Sequence, residues 1–129
     1  MFKLLTIIGA RPQIIKAAAI SRAIKKSFSD KIKEVIVHTG QHYDEKMADV
    51  FFQQFKLEPD YFLNMKPASP NKQIAEILIK LEDLMNEIGK PDVLLVPGDV
   101  NSSLAGALFA NKNGIKLGHI ESGLRSFDR

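Results

Sequence analysis

The chain has 129 residues, 45% hydrophobic and 26% charged, a length and balance that suit one soluble domain with a buried core and exclude a disordered or low-complexity protein. Its 18 basic and 15 acidic residues leave a net charge of +3, too small an excess for a nucleic-acid binder but compatible with an anionic small-molecule ligand. With no cysteine, disulfides and thiolate metal sites are excluded, and with three histidines no structural metal is expected.

Leu4 to Ile8 is a short apolar run closed by Gly9, which reads as a buried parallel strand. Such a run is too short for a signal segment, and no stretch approaches the length of a membrane span, so a cytoplasmic protein with no membrane partner is expected. Gly9-Ala10-Arg11-Pro12 leads into a helix to about Lys26, with Pro12 suited to the first turn and Ile14, Ala17, Ile20 and Ile24 forming a buried stripe. A helix amino terminus directly after a strand is an anion site, and Arg11 stands at its mouth as a bidentate phosphate partner. Lys16 projects from the first turns of the same helix; by spacing alone it reads equally as a ligand to that anion or as a solvated lysine. Lys25, Lys26, Lys31 and Lys33 cluster around the helix end, where cations complement the dipole. The run has neither G-x-G-x-x-G nor G-x-x-x-x-G-K-[ST], which disfavours a redox cofactor or an ATPase.

Val35 to Val37 reads as the second strand, followed by a polar loop His38-Thr39-Gly40-Gln41-His42. A helix is expected from Asp44, with Met47, Phe51 and Phe55 on one face as core or interface, and a short edge strand around Tyr61 and Phe62. After a loop from Met65 to Pro70, Asn71 is placed to cap the most regular helix of the chain, Ile74, Ile77, Leu78, Leu81, Leu84, Met85 and Ile88, ended by Gly89 and Pro91.

The stretch from Pro91 to Glu121 then reads as strand (Val93 to Val96), glycine turn (Pro97-Gly98-Asp99), helix from Asn101, and strand (Lys116 to Ile120) ending at Glu121. The alternation of strands and helices is that of an α/β doubly wound parallel sheet. In such a sheet the ligand sits outside the carboxyl ends of the strands, so Asp99 and Glu121 reach one rim. Two carboxylates there suit a reaction that removes and returns a proton; equally, Asp99 reads as a backbone acceptor ahead of a helix and Glu121 as a solvated loop acid. With only eight residues after Glu121, a doubly wound half is left incomplete, and the chain is expected to be a piece of a longer protein.

Four motifs in order, Gly9-Ala10-Arg11-Pro12, His38-Thr39-Gly40-Gln41-His42-Tyr43-Asp44, Gly98-Asp99-Val100-Asn101-Ser102-Ser103-Leu104-Ala105 and His119-Ile120-Glu121-Ser122-Gly123-Leu124-Arg125, give the chain a resemblance over nearly its whole length. It resembles the amino-terminal part of the non-hydrolysing UDP-N-acetylglucosamine 2-epimerases. The resemblance implies the first Rossmann-like half of a two-domain glycosyltransferase B fold, with residues 1–129 forming that half incompletely and the second nucleotide-binding domain absent. It implies a UDP-sugar substrate held between the halves, and epimerisation at C2 by elimination of UDP to a 2-acetamidoglucal and re-addition, with no cofactor or metal. Asp99 and Glu121 then match the family's acids beside the sugar ring, and Arg11 and Lys16 its contacts to substrate and diphosphate. The resemblance further implies a homodimer for the full-length protein, with Phe51, Phe52 and Phe55 either in that contact or in the core. The Pro-Glu-Glu glutamate, the second-domain histidine and the uridine-holding residues are missing, so the 129-residue chain alone is expected to be inactive. Pro97 and the run Gly98 to Ala107 look more like the branch acting on UDP-2,3-diacetamido-2,3-dideoxyglucuronate, and a glycosyltransferase-like UDP-sugar-binding domain is the other alternative. The residues by which some bacterial members bind a second, activating UDP-sugar are not supplied by Asp44 or by the loop from Met65 to Pro70.

Overall fold

The computed structural model describes residues 2–9, 11–39, 59–63, 69–97 and 101–120; for 11–14, 97, 101 and 102 it describes the backbone alone. The elements run β1 (Phe2–Ile8), α1 (Arg11–Ser27), β2 (Ile32–His38), β3 (Tyr61–Phe62), α2 (Pro70–Ile88), β4 (Val93–Pro97), α3 (Asn101–Lys112) and β5 (Lys116–Ile120). The strands form one parallel sheet in the order β3-β2-β1-β4-β5. The chain therefore works outward from β1 to β3, then crosses back and works outward again through β4 to β5. This is the doubly wound topology expected, with its reversal between β1 and β4.

Period-two alternation along the strands divides the core into two layers. Leu5, Ile7, Val35, Val37, Leu94 and Val96 point to one face and are packed with Ile77, Leu81 and Leu84 of α2 and with Ala105, Phe109 and Ala110 of α3. Leu4, Ile8 and Ile36 point to the other, where Ala17, Ala18 and Ile24 of α1 are buried. Near-complete burial of Leu5, Ile7, Leu94 and Val96, each worth about 1.5–3 kcal/mol, makes β1 and β4 the most firmly held strands. Their register is locked at the amino end: the Lys3 N–H donates to Asp92 Oδ2 at 2.7 Å and the Asp92 N–H to the Lys3 carbonyl at 2.8 Å. Lys3 Nζ also donates to the Ile88 carbonyl at the end of α2, at 3.1 Å.

Some boundaries differ from the sequence reading. β1 and β2 begin earlier than their apolar runs, because Phe2 to Leu4 pair with Ile32 to Glu34 and backbone pairing is indifferent to the charge of Lys33 or Glu34. The cap of α2 is Ser69, whose side chain accepts the Lys72 N–H at 3.3 Å, and Pro70 is the first helical residue; Asn71 lies inside the first turn. Gly89 ends α2 with φ of 83° and donates its N–H to the Met85 carbonyl, a backbone state that glycine tolerates and a β-carbon does not. The helix expected from Asp44, with Phe51, Phe52 and Phe55, lies outside the described residues.

Candidate functional site

All five strands point their carboxyl ends the same way, so one rim of the sheet gathers every βα junction. Ile8 pairs with His38, and Pro97 with Ile120. Continuing the Thr6 to Leu95 register by two residues brings Ile8 level with Pro97. The row His38, Ile8, Pro97, Ile120 therefore crosses the rim in steps of about 5 Å. Its middle gap, between β1 and β4, is the topological switch point, with α1 packed on one face of the sheet and α3 on the other.

α1 supplies the first candidates. Its backbone begins at Arg11, three residues after Ile8, with the free N–H groups of its first turn at the rim. The Arg11 side chain lies outside the described residues, while Lys16 is half-buried one turn further along. Asp99 and Glu121 also lie outside them: β4 is described to Pro97, two residues short of Asp99, and β5 to Ile120, one short of Glu121.

Close packing fixes the α3 side of the rim. A β-carbon on Gly106 would come within 2.7 Å of Val96 Cγ1, 3.1 Å of Ile7 Cδ1 and 3.3 Å of Leu94 Cδ2, so α3 rests its backbone directly on β1 and β4. Ser103, in its first turn, is buried. α3 is thus held against the sheet, its first residue, Asn101, two positions after Asp99 in the sequence.

Sequence reasoning placed His38 in a polar loop. It is instead the last residue of β2, 1% exposed, with its ring 5.4 Å from that of Phe62 at a 52° tilt. Burial pushes its imidazole down to about 4, so it is neutral in ordinary buffers and supplies no cation to the rim. Thr39, next in the chain, is fully buried and donates its N–H to the Ile8 carbonyl at 3.0 Å, extending the β1–β2 ladder to the rim itself. Neither role was visible in the sequence; the only signal was the continuation of the Val35 to Val37 run into two residues of modest strand propensity.

The one described carboxyl raised above its ordinary range, Glu34, is not part of this rim. Burial lifts it, against the Thr6 hydroxyl, which donates to Glu34 Oε2 at 3.4 Å, and the pull of Lys25. It stands four residues before His38, about 13 Å down the strand. Among the described residues, no three His, Asp or Glu converge to hold a metal ion, and no helix is long and apolar enough to cross a membrane.

Comparison with known proteins accords with this geometry. The chain is 48% identical over 128 residues to a UDP-N-acetylglucosamine 2-epimerase homolog of Methanococcus maripaludis, covering 98% of this chain and 34% of that protein. It is 46% identical over 127 residues to a UDP-2,3-diacetamido-2,3-dideoxy-D-glucuronate 2-epimerase of Pseudomonas aeruginosa, covering 98% and 35%. Among solved structures it is similar to the Methanocaldococcus jannaschii UDP-GlcNAc 2-epimerase in complex with UDP-GlcNAc and UDP, with TM-score 0.87 and 45% identity over 99% of this chain and 34% of that one. It is also similar to the Neisseria meningitidis enzyme bound to UDP-GlcNAc, with TM-score 0.85, 36% identity and coverage of 98% and 33%. The chain thus spans about a third of the length of the relatives it matches. A family model described as UDP-N-acetylglucosamine 2-epimerase matches residues 23–129, and the chain belongs to that family.

Proposed function

We propose that this chain is the substrate-facing first half of an enzyme that inverts C2 of a UDP-activated 2-acetamido sugar, converting UDP-GlcNAc to UDP-ManNAc. The observation that carries the reading is the rim: the start of α1, the end of β4 and the end of β5 are neighbours on one edge, and Arg11, Asp99 and Glu121 follow those ends within three residues in the sequence. The first-turn N–H groups of α1, Arg11 and Lys16 bind the diphosphate, where a helix end and two cations stabilise the charge that develops as UDP leaves. Asp99 and Glu121 carry the proton at C2, one removing it and the other returning it to the opposite face, each tuned by its own surroundings. Bond by bond, the C2–H pair forms the C1=C2 double bond as the C1–O bond to UDP breaks, and re-addition reverses this after reprotonation.

A second Rossmann-like half is needed to hold uridine, in the manner of a glycosyltransferase B fold, and the working protein is a cytoplasmic homodimer. The 46% identity to the P. aeruginosa relative favours, as a second reading, the same chemistry on UDP-2,3-diacetamido-2,3-dideoxyglucuronate.

The test uses this chain fused to the remaining two-thirds of the M. jannaschii relative. Incubated with UDP-GlcNAc in deuterium oxide, the fusion should place deuterium at C2 and accumulate UDP-ManNAc, while Asp99→Asn and Glu121→Gln lose exchange by at least about 100-fold. Turnover of the diacetamido substrate alone would select the second reading. No exchange with either sugar, in a folded fusion, would refute both; transfer to an acceptor without exchange would mark a glycosyltransferase.

A further inference from the structure

At the end of the sheet away from the rim, α1 turns into β2 through residues 22–33, which carry five cations, Arg22, Lys25, Lys26, Lys31 and Lys33, against one acid, Asp30. That local excess is larger than the net charge of +3 of the whole chain, so the remainder is slightly acidic. All five cations are exposed. The helix dipole accounts for Lys25 and Lys26 in the last turn of α1. It does not account for Lys31 and Lys33, which lie beyond the helix.

The fold adds what the sequence did not display. Phe28, just after α1, and Phe2, at the start of β1, are each 44% exposed. Lys31 joins them: the Phe2 N–H donates to its carbonyl at 3.0 Å, and its own N–H donates to the Phe28 carbonyl at 2.9 Å. Strand alternation places the Phe2 side chain on the α1 face, as it does Leu4 and Ile8. Two phenylalanines separated by 26 positions in sequence are thus brought to one corner, beside Lys31 and the last turn of α1, while Lys33, on the parity of Val35 and Val37, faces the other side of the sheet. Nearby carboxylates are engaged inward: Asp60 Oδ2 accepts the Ile36 N–H, Asp92 Oδ2 the Lys3 N–H, and Glu34 the Thr6 hydroxyl.

We propose that this corner is an adsorption surface for an anionic lipid bilayer, with Phe2 and Phe28 entering the headgroup layer and Lys25, Lys26 and Lys31 lying against lipid phosphates. Aromatic side chains within a basic fringe are the composition of interfacial binding. A nucleic acid would call for a basic stripe along a face; here the cations surround an apolar centre at one end of the sheet. Adsorption here leaves the site untouched, since Phe2 and Ile8 stand at opposite ends of the seven-residue β1, about 20 Å apart, and the rim faces the opposite way. No helix among the described residues is long and apolar enough to cross a membrane, and the proposed contact is peripheral and reversible.

The test is co-sedimentation of the 129-residue chain with vesicles of phosphatidylcholine alone and of phosphatidylcholine doped with phosphatidylglycerol, with circular dichroism to confirm folding of each variant. Binding is expected on the anionic vesicles only, weakening steeply with salt. Each lysine near the surface contributes about fivefold, so the double variant Lys26→Ser, Lys31→Ser should lose on the order of 25-fold. Phe2→Ser with Phe28→Ser should lose about tenfold at unchanged net charge. Absence of binding to anionic vesicles at low salt, equal binding to neutral ones, or unchanged binding by the double phenylalanine variant would each overturn the proposal. So would a chain that ignores vesicles but is retained by an oligonucleotide or by an acidic protein.

Discussion

Replacing Gly106 by alanine sets two effects of opposite sign against each other. In a helix interior alanine is favoured over glycine by about 1 kcal/mol, so on an open surface Gly106→Ala would stabilise α3. Here the new methyl would lie 2.7 Å from Val96 Cγ1, with two further carbons inside 3.4 Å, against an ordinary contact of about 3.5–4.0 Å. The flexible end of a long side chain could swing clear. Val96 is β-branched, 1% exposed and fixed in a central strand, and Ile7 beside it is equally buried, so α3 must lift off the sheet instead. Overpacking of that kind costs about 1–3 kcal/mol, leaving a net loss of up to about 2 kcal/mol after the propensity gain. Urea denaturation of the two chains measures it as a lower midpoint at unchanged slope. Gly118→Ala is the control: its methyl meets chiefly Leu95 Cδ1, at 2.9 Å, the far end of a half-buried side chain that can rotate away. If Gly106→Ala proves more stable than the parent by the full propensity gain of about 1 kcal/mol, the claim that α3 seats its backbone on β1 and β4 is wrong.

The other predictions concern acid sensitivity and capping. Unfolded His38 takes up a proton near pH 6.5 and the folded imidazole only near 4, so the unfolded state binds more protons in that window and stability falls on acidification by about 3 kcal/mol. His38→Asn should be less stable at neutral pH through lost packing yet show a flatter profile between those values; an unchanged slope in denaturation measured across pH would refute the assignment. Ser69→Ala should cost about 0.5–1 kcal/mol, the low end of the capping range because the bond is exposed, whereas Asn71→Ala should cost almost nothing. Equal thermal midpoints for the two variants would place the cap elsewhere.

These residues also show where sequence reading stopped. β4 and β5 were legible because apolar runs are bounded by proline, glycine and asparagine, and α2 because seven apolar residues recur at helical steps. β2 was read short, since a strand inside a parallel sheet is held by its neighbour's backbone and can begin with Ile32-Lys33-Glu34. The cap of α2 was misplaced by two residues because serine and asparagine both cap well and only the geometry of Lys72 chooses between them. His38 was read as loop because polarity in sequence does not announce burial; pairing with Ile8 and the Phe62 ring decides it. Of the candidate site, the ends of β4 and β5 were legible, while Asp99 and Glu121 themselves lie outside the described residues. The basic corner was half legible, its lysines adjacent in sequence and its two phenylalanines joined only by the fold.

The two margins of the sheet are unequal. β3 offers a newcomer two residues, scarcely a template, whereas β5 offers five, with Lys116, Leu117 and His119 exposed. Among the described residues, a polypeptide docking edge-on gains a longer ladder of backbone bonds along β5 than along β3. A strand added at that margin is brought alongside Ile120, the doorstep of Glu121.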